Sequence, residues 1–360
     1  MAIRETSPGT AISLSDNQHL RILSVAYPFA AVRTDSVGGA EQILRQLDRA
    51  LVHSAHDSLM IALAGSNISG TLLEIPTIDG EITSAVRQKT YNFLRDIIAK
   101  AFVEFDPHLV HLHGVDFFQY LPADDRPVLV TLHLPVSYYP PWIFELRRKQ
   151  TYLIGVSQPQ YRTFPNVNNM LPPIENGVPS LFEQPKPKRN YTVCLSRIAP
   201  EKNSHAALQA ARQADVDCFL AGKVFNYREH QDYFTREVKP LLDQRRRFIG
   251  VVGEPQKWEL LAAARCLLQP SLAEETSSLV AMEALACGTP VIAMRSGALP
   301  EIVEEGKTGF LVKSTDEMAD AISKAKRLSA QDCLNAARHR FSLEKMTDRY
   351  LKLYHQLVRL

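Results

Sequence analysis

Short apolar runs alternate with helix-patterned stretches along this 360-residue chain, and the alternation occurs twice in tandem. The first series opens with LRILSVAYPFA (residues 20–30) and a glycine turn at Gly38 and Gly39. An amphipathic run follows, with Ile43, Leu44, Leu47 and Leu51 at helical spacing. Then come SLMIALAG (58–65), a helical stretch over 83–105, HLVHLHG (108–114), PVLVTLHLP (127–135) and TYLIGVSQ (151–158). Strands that are apolar at consecutive positions are covered on both faces, which is the mark of a parallel sheet between helices.

A polar, proline-rich and lysine-rich segment, EQPKPKRN (183–190), reads as an exposed linker. The pattern then restarts with YTVCLSRI (191–198), the helical NSHAALQAARQA (203–214), CFLAGKV, RRFIGVVG, CLLQPS, TPVIAM and GFLV. The expected fold is α/β, with two Rossmann-like doubly wound domains facing each other across a cleft. The expected divisions are a flexible N-terminal segment (1–18), a first domain (19–175), a second domain (176–341) and a C-terminal helix (342–360). That last helix carries Met346, Tyr350, Leu353, Tyr354, Leu357 and Leu360 on one face, a stripe suited to seal a core and able to pack back on the first domain. Ligands of doubly wound sheets bind beyond the carboxyl ends of the strands, so chemistry is expected between the two halves.

Composition excludes several classes. Hydrophobic residues make up 45% and charged residues 22%, a globular balance, and the net charge of +2 gives no field for nucleic acid. The basic clusters Arg147–Lys149 and Arg245–Arg247 read as solvated faces, with weak contact to anionic lipid or to an anionic acceptor as the sharper alternative. The opening MAIRETSPGT has no apolar core, so no secretion signal is expected, and no run approaches a membrane span. Five widely spaced cysteines without a CxxC pair argue against disulfides or zinc and for a reduced cytoplasmic setting. Asp124 and Asp125 sit in PADDRP, a surface turn, and no metal site is expected.

The richest segment is PSLAEETSSLVAMEALACGTPVIA (270–293). It reads as strand end, loop, short helix, tight turn and strand. Thr276, Ser277 and Ser278 are N-cap candidates, Leu279–Ala286 continue as helix, and Cys287–Gly288 followed by Pro290 end it. A helix start offers free N–H groups and partial positive charge, which suits a diphosphate. Glu275 precedes that start and Glu283 lies about 7 Å along the axis. Carboxylates so placed can accept hydrogen bonds from vicinal hydroxyls on either side of a phosphate. The bland alternative is a capped helix with a surface glutamate.

This segment resembles the retaining glycosyltransferases of family four, which have the GT-B fold. The shared features are two glutamates separated by seven residues, Glu275 and Glu283, followed by ACGTPVIA. The resemblance implies that Glu275 contacts donor-sugar hydroxyls, that Glu283 contacts the ribose, and that the backbone of Ser278 and Leu279 meets the diphosphate. Ser277 belongs to the same donor loop. Where the family often has Gly-Phe-Gly, this chain has Thr276-Ser277-Ser278, a departure that bears on sugar preference. CLSRIAPEKN (194–203) is similar to the family's strand end bearing two cations, here Arg197 and Lys202. Fixed cations there favour a departing diphosphate. FLAGKV, GALPEIVEEGKTGFLV and the hinge-like IENGVP (174–179) also resemble family segments.

In the first half, VGGAEQILRQL resembles the glycine loop that approaches the donor phosphate, through Gly38 and Gly39. Two strand-end histidines stand out. The resemblance implies that His133 lies beside the reacting sugar, with His113 a weaker candidate on the acceptor side. Taken alone, either is more often structural or hydrogen-bonded than catalytic.

The implied activity is metal-independent transfer of a hexose-type sugar from a nucleotide-diphosphate-sugar to an unidentified hydroxyl acceptor, with retention. Catalysis would fall to His133, Glu275, Arg197 and Lys202, with no cofactor beyond the co-substrate. No position in the first half offers a clear nucleophile for double displacement. The rivals are a sugar-nucleotide epimerase of the same architecture and a non-catalytic nucleotide-sugar binding module. A dehydrogenase is disfavoured, because no GxGxxG opens either half.

Overall fold

The computed structural model describes residues 18–78 and 80–360. Apart from Gln18, the expected N-terminal segment lies outside the described residues. The first sheet has seven parallel strands in the order β3-β2-β1-β4-β5-β6-β7. They are β1 (Arg21–Val25), β2 (Asp57–Leu63), β3 (Thr71–Ile75), β4 (Leu109–Leu112), β5 (Val128–Leu132), β6 (Thr151–Gly155) and β7 (Met170–Leu171). Two edge strands escape the sequence reading. TLLEI is half-exposed and shows no continuous apolar run, and β7 is only two residues long.

The second sheet has six parallel strands in the order β10-β9-β8-β11-β12-β13. They are β8 (Tyr191–Leu195), β9 (Asp217–Ala221), β10 (Arg246–Phe248), β11 (Cys266–Gln269), β12 (Val291–Met294) and β13 (Gly309–Val312). Central strands β4, β5, β11 and β12 are buried at every position, as their mostly apolar sequences require, and the polar His111, Thr131 and Gln269 are buried with them. All five cysteines are free and buried, acting as small apolar side chains. No helix among the described residues is long and apolar enough to cross a membrane.

Both sheets reverse direction beside their first strand. β1 lies between β2 and β4, and β8 lies between β9 and β11. A crevice opens at such a point, beyond the strand carboxyl ends. The loops leaving β1, β4 and β5 carry Gly38–Gly39, His113 and His133. Those leaving β8 and β11 carry Arg197–Lys202 and Glu275–Ser278.

The C-terminal helix, Leu343–Val358, leaves the second half and packs on the first sheet. Met346, Tyr350, Tyr354 and Leu357 join Leu20, Ile22, Leu109 and Leu129 in one buried cluster. Each fully buried side chain of this kind contributes about 1.5–3 kcal/mol. The two connections between the halves run side by side. Val178 N donates to Phe341 O at 2.8 Å, and Leu343 N donates to Val178 O at 3.1 Å.

Candidate functional site

The second half builds its share of the site on two loops joined to each other. After β8 the chain makes a 3-10 turn, Pro200–Lys202, and Asn203 ends it in the left-handed region with φ 53°. Asn203 Nδ2 donates to Pro270 O at 3.2 Å, and Leu272 N donates to Glu201 O at 2.9 Å. The turn carrying Lys202 is thus fixed to the loop carrying Glu275. Lys202 Nζ lies 2.6 Å from Glu275 Oε1. Arg197 is exposed, with Glu201 3.4 Å away.

Glu275 is held from behind by a glycine. Gly297 has φ +50°, and a Cβ on it would fall 2.1 Å from Glu275 O and 2.5 Å from Glu275 N. Only a residue without a side chain lets these backbones meet, and Ala298 N then donates to Glu275 O at 2.7 Å.

The Leu279–Ala286 helix begins at Ser278, which takes the N-cap position without a side-chain capping bond. The hydroxyls of Ser277 and Ser278 are both buried without a protein partner. The Thr276 hydroxyl does not cap either. It donates to His133 O at 2.7 Å, joining the two halves across the cleft. The helix start is therefore not closed by its own side chains. Inside the helix, Glu283 is 5% exposed and paired with Lys257 at 2.7 Å. Burial raises the Glu283 pKa, and the Lys257 ammonium beside it opposes that shift.

The first half supplies the facing wall. Gly38 is the N-cap of the Gly39–His53 helix, and Glu41 sits at its third position. The Glu41 carboxylate folds back so far that a Cβ on Gly38 would overlap it. Burial raises the Glu41 pKa, while its own backbone hydrogen bond and Arg197 across the cleft lower it. His113 Nδ1 lies 3.0 Å from His133 Nε2. Burial lowers the His133 pKa to about 4, and burial together with His111 and His133 lowers that of His113 well below the usual range.

These pieces enclose one cleft of about 670 Å³ between the halves. Gly38, Gly39, His113 and His133 line it from one side. Arg197, Lys202, Glu275, Ser277, Ser278, Leu279 and Glu283 line it from the other. Residues on its walls carry buried polar atoms without a protein partner: Asn176 Oδ1, Ser277 Oγ and Ser278 Oγ. Such atoms are costly unless a ligand or water completes them.

Lys257, Glu41, Asn176 and the Thr276 bridge are absent from the sequence reading. Glu41 had a local signal, an acid three residues after an N-cap. Lys257 had none, because its partner Glu283 is 26 residues away. Asp124 and Asp125 lie outside the cleft, and Asp124 Oδ1 accepts from Arg126 N at 2.8 Å in an exposed turn. Among the described residues no group of three or more His, Cys, Asp or Glu is placed to hold a metal ion.

Residues 180–348 match the family described as glycosyl transferases group 1. D-inositol 3-phosphate glycosyltransferase of Streptomyces avermitilis is 43% identical over 98 residues, which is 26% of this chain and 21% of the relative. The protein of the same name from Mycobacterium tuberculosis is 42% identical over 108 residues, 28% of this chain and 22% of the relative. The chain thus spans about a fifth of the length of these curated relatives. Sucrose-phosphate synthase from Thermosynechococcus elongatus superposes with a TM-score of 0.76 at 18% identity, over 94% of this chain and 99% of that one. Anabaena HepE in complex with UDP-glucose superposes with a TM-score of 0.72 at 18% identity, over 94% and 100%. The fold is the GT-B type: two Rossmann-like domains with parallel sheets facing across a cleft.

Proposed function

We propose that this chain transfers a hexose-type sugar from a nucleotide-diphosphate-sugar to a hydroxyl acceptor, with retention of anomeric configuration and without a metal. One observation carries the reading. The uncapped start of the Leu279–Ala286 helix faces a cleft lined by Arg197, Lys202, Glu275 and Glu283, whose walls hold unpartnered polar atoms. The match of residues 180–348 to group 1 glycosyl transferases supports it, as does the UDP-glucose held by the Anabaena neighbour.

The roles follow from charge and position. The free N–H groups at Ser278 and Leu279 take the diphosphate, with Gly38 and Gly39 approaching from the facing wall. Glu283 accepts from the ribose hydroxyls, and Glu275 from the sugar. As the bond to the anomeric carbon breaks, negative charge grows on the leaving phosphate, and Arg197 and Lys202 stabilise it as a metal would elsewhere. Lys202 is oriented in advance by Glu275, so little reorganisation accompanies the step. His133 stands beside the reacting sugar. The acceptor attacks from the face the phosphate leaves, and that phosphate takes the acceptor proton.

The test is product stereochemistry. UDP-glucose is supplied first, then other nucleotide sugars, with a panel of hydroxyl acceptors. The new anomeric proton is read by NMR. Retention is expected, with turnover unaffected by chelator. An inverted product, or strict dependence on added divalent metal, removes this mechanism.

A further inference from the structure

Three imidazoles stand in a row on the first-domain side of the cleft, His133 and His113 on its wall and His111 behind them. His111 uses both nitrogens, Nδ1 at 2.8 Å from Tyr354 Oη of the C-terminal helix and Nε2 at 2.8 Å from Thr131 Oγ1. His113 lies against it with ring centroids 3.9 Å apart, and reaches His133 through its Nδ1, 3.0 Å from His133 Nε2. One proton serves that last contact, so one nitrogen donates and the other accepts.

The other nitrogen of His113 decides which. His113 Nε2 is buried and has no protein partner. A buried N–H without an acceptor is rarer and more costly than an unfilled lone pair. His113 therefore keeps its proton on Nδ1 and directs it at His133. His133 Nε2 must accept, and a neutral His133 then carries its own proton on Nδ1. Both rings are neutral near pH 7, because burial holds their pKa values down. Among the described residues His133 Nδ1 has no hydrogen bond to protein, and His133 lines the cleft.

We infer that His113 is a positioning residue that fixes His133 as the Nδ1–H tautomer, so that His133 offers the ligand in the cleft a hydrogen-bond donor and no base. The identity of that ligand, an oxygen of the donor sugar, rests on the function proposed above. The tautomer does not. The C-terminal helix takes part indirectly, because Tyr354 holds His111 and His111 backs His113. A histidine that only donates leaves deprotonation of the acceptor to another group, which agrees with the leaving phosphate in that role.

Nitrogen-15 NMR of the full chain, labelled in its histidine rings, tests the tautomer at pH 7. His133 is assigned by the signals lost in His133→Gln. A protonated Nδ1 and a bare Nε2 are expected, and the reverse pattern overturns the inference. Two variants test the consequence. His113→Phe keeps a ring but loses the donor, whereas His113→Asn places an amide N–H near the position of Nδ1. Turnover is expected to fall about tenfold in the phenylalanine variant, with the KM for the nucleotide sugar little changed, and to recover in the asparagine variant. Equal loss in both, or no loss in the first, also overturns it. An active transferase with the reverse tautomer sinks this inference alone. The expected tautomer in a chain without sugar transfer sinks the proposed function alone.

Discussion

Lys202 Nζ lies 2.6 Å from Glu275 Oε1, and the two side chains are only 16% and 10% exposed. Each neutralises the other, so removing one leaves a nearly buried charge behind. Lys202→Met should therefore cost about 2 kcal/mol of stability. If Lys202 also meets the leaving phosphate, turnover falls about a hundredfold, with a smaller loss of donor affinity. Denaturant unfolding and steady-state kinetics measure the two effects. The double variant Lys202→Met, Glu275→Gln should recover most of the stability and none of the turnover. Unchanged turnover in the single variant would make Lys202 a structural cation.

Glu283 and Lys257 form a second pair, deeper and farther along the helix, at 2.7 Å. A carboxylate kept there despite burial is suited to hydroxyls of the nucleotide. Glu283→Ala should weaken a free nucleoside diphosphate by about ten- to a hundredfold, the loss of one or two charge-assisted hydrogen bonds. Titration calorimetry with nucleoside diphosphate alone reads this without any sugar or acceptor. Equal affinity in variant and parent moves the ribose away from Glu283.

Gly297 touches no ligand in this scheme, yet its replacement should abolish most activity. An alanine there meets a strained φ of +50° and a Cβ 2.1 Å from Glu275 O. Relief requires the Glu275 loop to shift by an ångström or so, and misplacement on that scale costs on the order of a hundredfold in rate. Far-ultraviolet circular dichroism should show both sheets intact while transfer is lost. Full activity in Gly297→Ala would mean that the loop is free to move without consequence.

The parts of this site that could be read from sequence are those set by local pattern. Glu275 and the short helix that carries Glu283 lie within one strand–loop–helix unit, so local pattern picks them out, while the donor-binding roles come from the family resemblance. The stripe through Tyr350 and Tyr354 was also legible, since helical periodicity marks a buried face. What it covers was left open, because nothing near residue 350 names His111 as the partner of Tyr354. The Thr276 hydroxyl seemed a cap and instead bridges to His133 O, a choice made by a loop 143 residues away. The sequence of the first half offers no clear nucleophile, and the fold brings the Glu41 side chain into the cleft by folding it over Gly38. The Tyr354 and Thr276 pairings are long-range and fixed by topology, and a single sequence carries no local trace of them.

The histidine row also sets how the protein responds to acid. Burial lowers the pKa values of His111, His113 and His133 below their ordinary 6.5, with His133 at about 4. The unfolded chain then takes up protons before the folded one does. Stability from these groups is complete above pH 6.5 and is lost as pH falls toward the folded values. At pH 5.5, one unit below the unfolded value, His133 alone accounts for a loss on the order of 1 kcal/mol. The raised pKa values of Glu41 and Glu283 act in the opposite sense nearer the carboxylate range, so the histidine effect is cleanest between pH 7 and 5.5. Denaturant midpoints across that window should fall with pH, and His133→Gln should reduce the fall by roughly its own share. The same charge state predicts transfer rates without an inflection from His133 between pH 6 and 8. A stability curve in His133→Gln parallel to that of the parent would show that this ring is not held neutral by the fold.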